Sequence, residues 1–383
     1  MFLNKILERN PRLVDAAILL HKQELIQPDT YVIDVTTLLE NAKMILAEAR
    51  KYELTCLYMS KQIGRNIDIC HKLEDMGYDG AVTVDFREAL YLAKNNLKLW
   101  NVGHLVQTPK SVLKQLIPYG VKYFTVYSVE KMQEINEIAQ EIGIIQSVTI
   151  KMGDQNCLIY DGQQSGFSYS ELDAVVAAAN TLANIRIAGV TAFPCMLYND
   201  ESKKIETTPN FELLLRAKAR LEVLGCTITE VNTPSSNTAN SMKLAYDNHA
   251  TTVEPGHALT GTTPYHADHF DLERPALVYV SEVSHPFQER SYVYGGGHYR
   301  RSHMSNALIV NNQNERSYAK IEAPSDDNID YTLRLDGVYP VGSTVICCFR
   351  TQIFTTRSQV ALIDTESSEP KLLGLYDAHG FQL

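Results

Sequence analysis

The sequence predicts an α/β chain: a (β/α)8 barrel followed by a mainly antiparallel β domain. Three observations carry this. Apolar runs of strand length alternate with helical patterns through the middle of the chain, as in a parallel sheet buried on both faces. Eight such strand–helix units fit the size of a barrel. A doubly wound open sheet is the alternative, but the early glycine fingerprint of a dinucleotide fold is missing. Beyond residue 275 long helical patterns stop, and short Val-, Tyr-, Thr- and Ile-rich runs lie between turn residues.

Residues 1–28 read as helical. Asn10 is a good N-cap, Pro11 suits the first helical position, and Leu13, Val14, Ala17, Ile18 and His21 fall on one face. The sequence leaves open whether this segment packs on the barrel or on the β domain. The barrel is assigned to 29–275. It opens with an extended run at 31–35 and a helix through Leu38, Ala42, Ile45 and Ala49, capped by Thr36 or Thr37. The eight strands are predicted at 54–60, 80–85, 97–103, 121–127, 147–152, 185–193, 227–233 and 251–255. The clearest helices are at 67–76, 86–94, 109–116, 129–142, 170–182 and 210–224. The β domain, 276–383, has strands at 276–283, 291–294, 307–310, 331–335 and 344–349.

The chain has 383 residues, enough for one large and one smaller domain. A formal charge of −10 with no long basic run argues against nucleic acid and anionic membrane as partners. Seven cysteines, an odd number with no CxxC or zinc-type spacing, read as reduced thiols of a cytoplasmic protein. No apolar run reaches membrane-spanning length, and residues 1–8 hold no signal-peptide core.

Lys61 ends the first barrel strand, and barrel chemistry belongs at the C-terminal ends of strands. Desolvation there disfavours the ammonium and frees an amine for carbonyl chemistry. The commoner alternative is a lysine that snorkels to solvent.

Several short strings extend this reading. They are Leu57-Tyr58-Met59-Ser60-Lys61, Val102-Gly103-His104-Leu105, Thr149-Ile150-Lys151-Met152-Gly153-Asp154 and Val253-Glu254-Pro255-Gly256. With the order of elements, they resemble the alanine racemase family of fold-type III pyridoxal 5′-phosphate (PLP) enzymes over nearly the whole chain. The overall pattern resembles that of the YhfX-type branch. The family's Lys-Ala-Asn-Ala-Tyr-Gly string is replaced by Lys61-Gln62-Ile63-Gly64-Arg65-Asn66.

The resemblance implies that Lys61 holds PLP as a Schiff base and serves as an acid/base at the substrate Cα. Ser235, Ser236, Gly256 and His257 would hold the phosphate, against the plain reading of a polar turn. A second alignment, on Ala239-Asn240-Ser241, makes Ser241 the donor instead. Glu254 stands where alanine racemases have arginine and the decarboxylase branch has Glu-Pro-Gly. It would keep the pyridine nitrogen protonated, unless it is a surface glutamate. Phe193 would stack on the ring or pack in the core. Tyr294, in Val293-Tyr294-Gly295-Gly296-Gly297-His298-Tyr299, would be the second base, delivered by another subunit; His298 is its rival, and a flexible hairpin the plain alternative.

Cys348 resembles the cysteine loop that either lineage brings to a partner's site, and could be an acid there or a small core residue. Arg350 or Arg357 could bind a substrate carboxylate. No His-x-Cys occurs, so no metal is expected.

The implied function is a homodimeric, cytoplasmic PLP enzyme acting on an amino acid, racemase first and decarboxylase second. A non-catalytic PLP-binding protein and a PLP-free lysine Schiff-base aldolase are the competing classes.

Overall fold

A computed structural model describes residues 2–383 apart from Arg300, Ala323, Asp326 and Ser368. The chain divides into two compact units. One holds Ile45–Ser60 and Cys70–Gly256. The other holds the chain up to Met44, Lys61–Ile69, and everything from His257 onward.

The first unit is the (β/α)8 barrel. Its parallel sheet runs Thr55–Cys56, Thr252–Val253, Glu230–Asn232, Ile185–Thr191, Gln146–Lys151, Tyr123–Val126, Leu99–Val102, Ala81–Thr83, Tyr58–Met59. The first and last are two halves of one extended segment interrupted at Leu57. One half pairs with Thr252–Val253 and the other with Ala81–Thr83, so the sheet closes on itself. All eight predicted strands are present among the described residues, mostly a little shorter than expected. Helix starts are set by local caps: Asp85 accepts from the N–H groups of Arg87 and Glu88, and Ser128 from that of Lys131.

The barrel strands bury polar residues beside an apolar cluster of Leu57, Met59, Val82 and Val84. Thr83, Asn101, Thr125, Thr149, Thr191, Asn232 and Thr252 are all buried on these strands. Thr125 Oγ1 donates to Asn101 Oδ1 at 2.7 Å. Gly189 is required by close packing, since a Cβ there would meet Thr149 Oγ1 at 2.6 Å.

The second unit is a closed, mainly antiparallel β-barrel with helices. Leu277–Phe287 pairs with Arg290–Tyr294, then Thr332–Asp336, Arg316–Glu322, Asn306–Val310 and Thr344–Cys347 follow, and the last returns to Leu277–Phe287. The helices Leu3–Arg9 and Pro11–Lys22 pack on this sheet. Ile6, Leu13, Val14, Ala17 and Leu20 meet Val278, Val280, Leu308 and Ile346, which answers the question the sequence left open.

One assignment is corrected. The extended run expected to open the parallel barrel is Thr30–Asp34, and it belongs to the β unit. It pairs antiparallel with Leu277–Phe287 and parallel with Gln359–Asp364. Its five residues are all buried, so its pattern fits either sheet equally. Arg316–Glu322, Gln359–Asp364 and Lys371–Tyr376 are further strands outside the expected set. The first carries three charged residues on a largely exposed surface, which hides the apolar alternation.

Candidate active site

Glu254 directly follows Thr252–Val253, on the C-terminal rim of the parallel barrel. Its side chain is buried, with the residue 4% exposed. A carboxylate at that depth needs donors. Oε2 accepts from Asn232 Nδ2 at 3.0 Å, and Oε1 lies 3.6 Å from His104 Nε2. The Glu254 N–H donates to Asn237 Oδ1 at 2.9 Å, and Asn237 Nδ2 donates to Thr233 O at 3.1 Å. Asn237 thereby ties the turn after Glu230–Asn232 to the strand end that carries Glu254.

Phe193 stands edge-on to His104, with ring centroids 5.7 Å apart, and 5.8 Å from Tyr160. Phe193 and Glu254 therefore approach the same histidine. The hydroxyl of Tyr127 donates to His104 O at 2.5 Å and holds that backbone in place.

Ser235 and Ser236 have φ of +87° and +48°. Two consecutive left-handed residues without glycine are uncommon and require support from their surroundings. Cys195 N–H supplies some of it, donating to Pro234 O at 2.9 Å. Ser241 is differently placed. Its hydroxyl donates to Thr238 O at 3.0 Å and accepts from Thr238 N–H at 2.9 Å, so it is engaged as a helix cap. Gly256 is the last residue of this unit, directly after Pro255, whose carbonyl accepts from Met59 N–H at 3.1 Å.

In the β unit, Lys61 opens the short turn Lys61–Ile63, two residues past Met59. His257 is buried, and its Nε2 donates to Thr351 O at 2.8 Å. Burial, then the charges of Arg350 and Lys61, hold its pKa well below the ordinary value. The imidazole is neutral and its Nε2 is committed to the main chain. Expected as a phosphate ligand, His257 retains only its main-chain N–H and Nδ1 for that part. Thr351 Oγ1 donates to Gln62 O at 3.4 Å, linking the Lys61 turn to the segment after Thr344–Cys347.

Tyr294 ends Arg290–Tyr294 and is 42% exposed. The glycines that follow approach their own unit closely. A Cβ on Gly296, at φ +130°, would lie 2.2 Å from Asp29 Oδ2, and one on Gly297 2.2 Å from Tyr279 Cε2. Tyr31 donates to Gly297 O. His298 Nδ1 lies 3.2 Å from Ser302 Oγ. Arg357 donates to Asp330 O at 2.7 Å and lies 5.4 Å from the Tyr331 ring, whereas Arg350 acts on His257.

Cys348 is a correction. It is 2% exposed in the apolar core with Ile6, Val278 and Ile346. Its thiol donates to Leu277 O at 3.3 Å, and its carbonyl accepts from Phe2 N–H at 3.2 Å. Burial pushes the thiol up to about 12. A thiol so placed is a core residue, not an acid offered to another subunit.

Two family models match the chain: "Alanine racemase, N-terminal domain" over residues 33–264 and "YhfX-like, C-terminal domain" over 278–372. The chain belongs to the alanine racemase N-terminal domain family. The Escherichia coli (strain K12) protein YhfX is 39% identical over 385 residues, covering all of both chains. Among solved structures, alanine racemase from Clostridium difficile 630 in complex with cycloserine matches with a TM-score of 0.63 at 19% identity, over 92% of this chain and 98% of its own. D-Threonine aldolase from Filomicrobium marinum matches with a TM-score of 0.69 at 14% identity, over 92% and 95%. These two likenesses are of fold.

Within this alanine racemase-like scaffold, four residues beyond the expected set bear on the rim: His104, Asn232, Asn237 and Lys151. His104 and Lys151 stand in the strings quoted above, yet neither string says which way a side chain points. Asn232 was findable. It shares a strand face with Glu230, next to the strand that leads into Glu254, and a buried carboxylate demands such a donor.

Proposed function

We propose that this chain is a PLP-dependent enzyme acting at the Cα of an amino acid, in the first instance as a racemase. Glu254 carries the reading. It is a buried, amide-held carboxylate on the rim of a (β/α)8 barrel, in a chain whose Lys61 lies two residues past Met59. The donors fit the cofactor's needs: an amine, a carboxylate for the ring nitrogen, Phe193 for the ring, and the left-handed Ser235-Ser236 turn with Gly256 for the phosphate.

When bound, PLP withdraws electrons from Cα, the more so with its ring nitrogen protonated. Asn232 would orient the Glu254 carboxylate for that contact, with His104 Nε2 3.6 Å from its other oxygen. Lys61 would hold the cofactor through its amine, and that amine would take or return the proton on one face of the substrate Cα. The opposite face needs a second group, and Tyr294 of a second copy is assigned that part. Its exposure supports this assignment, and His298 remains its rival.

The decarboxylase alternative keeps its Glu254-Pro255-Gly256 string, but the core position of Cys348 removes its other support.

The test is an absorption spectrum with PLP added, then borohydride reduction and peptide mapping. A visible band, with the label fixed on Lys61, supports the reading. No band, or label spread over surface lysines, refutes it. With the band in hand, exchange of the Cα hydrogen in D2O without CO2 release supports racemase, and CO2 release supports decarboxylase. A band without either, across both enantiomers of the common amino acids, leaves a PLP-binding protein.

A further inference from the structure

The geometry points to Lys151 as the anion-recognition group of the barrel mouth: we propose that its ammonium receives a carboxylate of the amino-acid substrate. This rests on the PLP reading above.

Lys151 ends Gln146–Lys151 and pairs in register with Thr191. Thr191 pairs with Asn232, and Asn232 with Thr252. Lys151 therefore stands in the same layer of the rim as Asn232, the residue that holds Glu254. Lysines at strand ends usually carry their charge out to water. This one is 3% exposed.

Its partners are neutral. Nζ donates to Ser165 Oγ at 2.7 Å and lies 4.9 Å from the Tyr127 ring centroid. Ser165 donates its own proton to Gln163 O at 3.0 Å, so it faces the lysine as an acceptor only. No carboxylate among the described residues pairs with Lys151. Burial alone lowers its pKa, to about 8, with no opposing charge to offset it. A buried ammonium with spare donors and no counter-ion is costly, and an arriving carboxylate relieves that cost.

The setting is built. The chain after the strand folds back on the lysine's own backbone: Phe167 N–H donates to Lys151 O at 2.8 Å, and Gly153 N–H to Phe167 O at 3.0 Å. Gly166, at φ +112°, lies where a Cβ would meet Lys151 O at 2.8 Å. This close approach holds Ser165 over the amine. Every α-amino acid offers a carboxylate beside Cα, and acidic ones offer a second on the side chain. Both have the chemistry that Lys151 selects.

The experiment compares full-length wild type, Lys151→Met and Lys151→Arg, each saturated with PLP. The visible band and the borohydride label on Lys61 are read first. Calorimetry then measures affinity for aspartate and alanine as both enantiomers, for β-alanine, and for ethylamine. Lys151→Met is expected to weaken aspartate about 10- to 100-fold, the range of a charge-assisted bond, and to leave ethylamine unchanged. Equal weakening of alanine assigns the α-carboxylate. Unchanged alanine with weakened β-alanine assigns the side-chain carboxylate. Lys151→Arg, which keeps the charge, should keep most of the affinity.

Unchanged selectivity, a uniform loss across all four probes, or no saturable binding of any of them to wild type overturns the inference and leaves the PLP reading standing. So does a displaced cofactor band with unchanged selectivity, which would give the amine to the cofactor. A wild type with no band overturns both.

Discussion

Replacing Glu230 by glutamine should stabilise the barrel in alkaline solution and change little near pH 5. Glu230 opens the strand Glu230–Asn232 and is fully buried. One carboxyl oxygen accepts from Trp100 Nε1 at 2.8 Å; the other has no hydrogen-bond partner among the described residues. Burial raises its pKa from 4.5 to about 8. The Trp100 hydrogen bond and Lys122 oppose the rise, and Glu254 adds to it.

The folded chain thus keeps a proton that the unfolded chain releases above pH 4.5. Stability must fall as pH rises through that window and level off above about 8. At about 1.4 kcal/mol per pH unit, the whole window is worth about 5 kcal/mol. Between pH 5 and 8 about 3.5 kcal/mol of that is spanned, and relaxation of the site reduces the observable part to about 2–3 kcal/mol. Glutamine cannot ionise, and its carbonyl keeps the Trp100 bond.

The assay is urea unfolding at pH 5, 6.5 and 8. Trp100 is the chain's only tryptophan, so its fluorescence reports from the hydrogen bond in question. The advantage of Glu230→Gln should grow by about 2–3 kcal/mol from pH 5 to 8. A constant difference, or a more stable wild type at pH 8, would mean that Glu230 is ionised and compensated in the fold.

Glu254→Gln should retain PLP absorbance and lose about 100-fold or more in kcat, because the amide cannot act as a carboxylate partner to the ring nitrogen. Full activity in that variant would remove Glu254 from the chemistry. Cys348→Ala should cost about 1–2 kcal/mol in thermal unfolding and leave the pH profile of activity unaltered, as for a trimmed core side chain. Lost activity at unchanged stability would restore its role as an acid. Asp29 accepts from Tyr279 and Ser358, and burial raises its pKa to about 6. Its contribution is therefore largest in acid and is lost as pH rises from 3.8 through 6. Asp29→Asn should gain about 1 kcal/mol relative to wild type on going from pH 4 to pH 7.5, after discounting for partial exposure. Light scattering should find a dimer at micromolar concentration; a monomer would count against Tyr294 as the opposite-face group.

The sequence by itself determined the eight strands and the switch to a β domain, and it put Glu254 and Lys61 forward as candidates. Those features are local. Runs buried on both faces, caps such as Asn10 and Asp85, and a Glu-Pro-Gly string after the last strand are written in neighbouring residues. What only the tertiary structure decided is pairing. Thr30–Asp34 reads alike in either sheet, because a fully buried strand has no polar face to betray its partner. Cys348 reads alike as an acid or as core, until Phe2 and Ile6, more than three hundred residues away in the chain, are seen to cover it. Lys151 stands in a string that carries the resemblance, but its burial shows only where Ser165 and Tyr127 close over it. In each case the deciding term is desolvation by residues remote in sequence, and burial of that kind is a property of the folded chain alone.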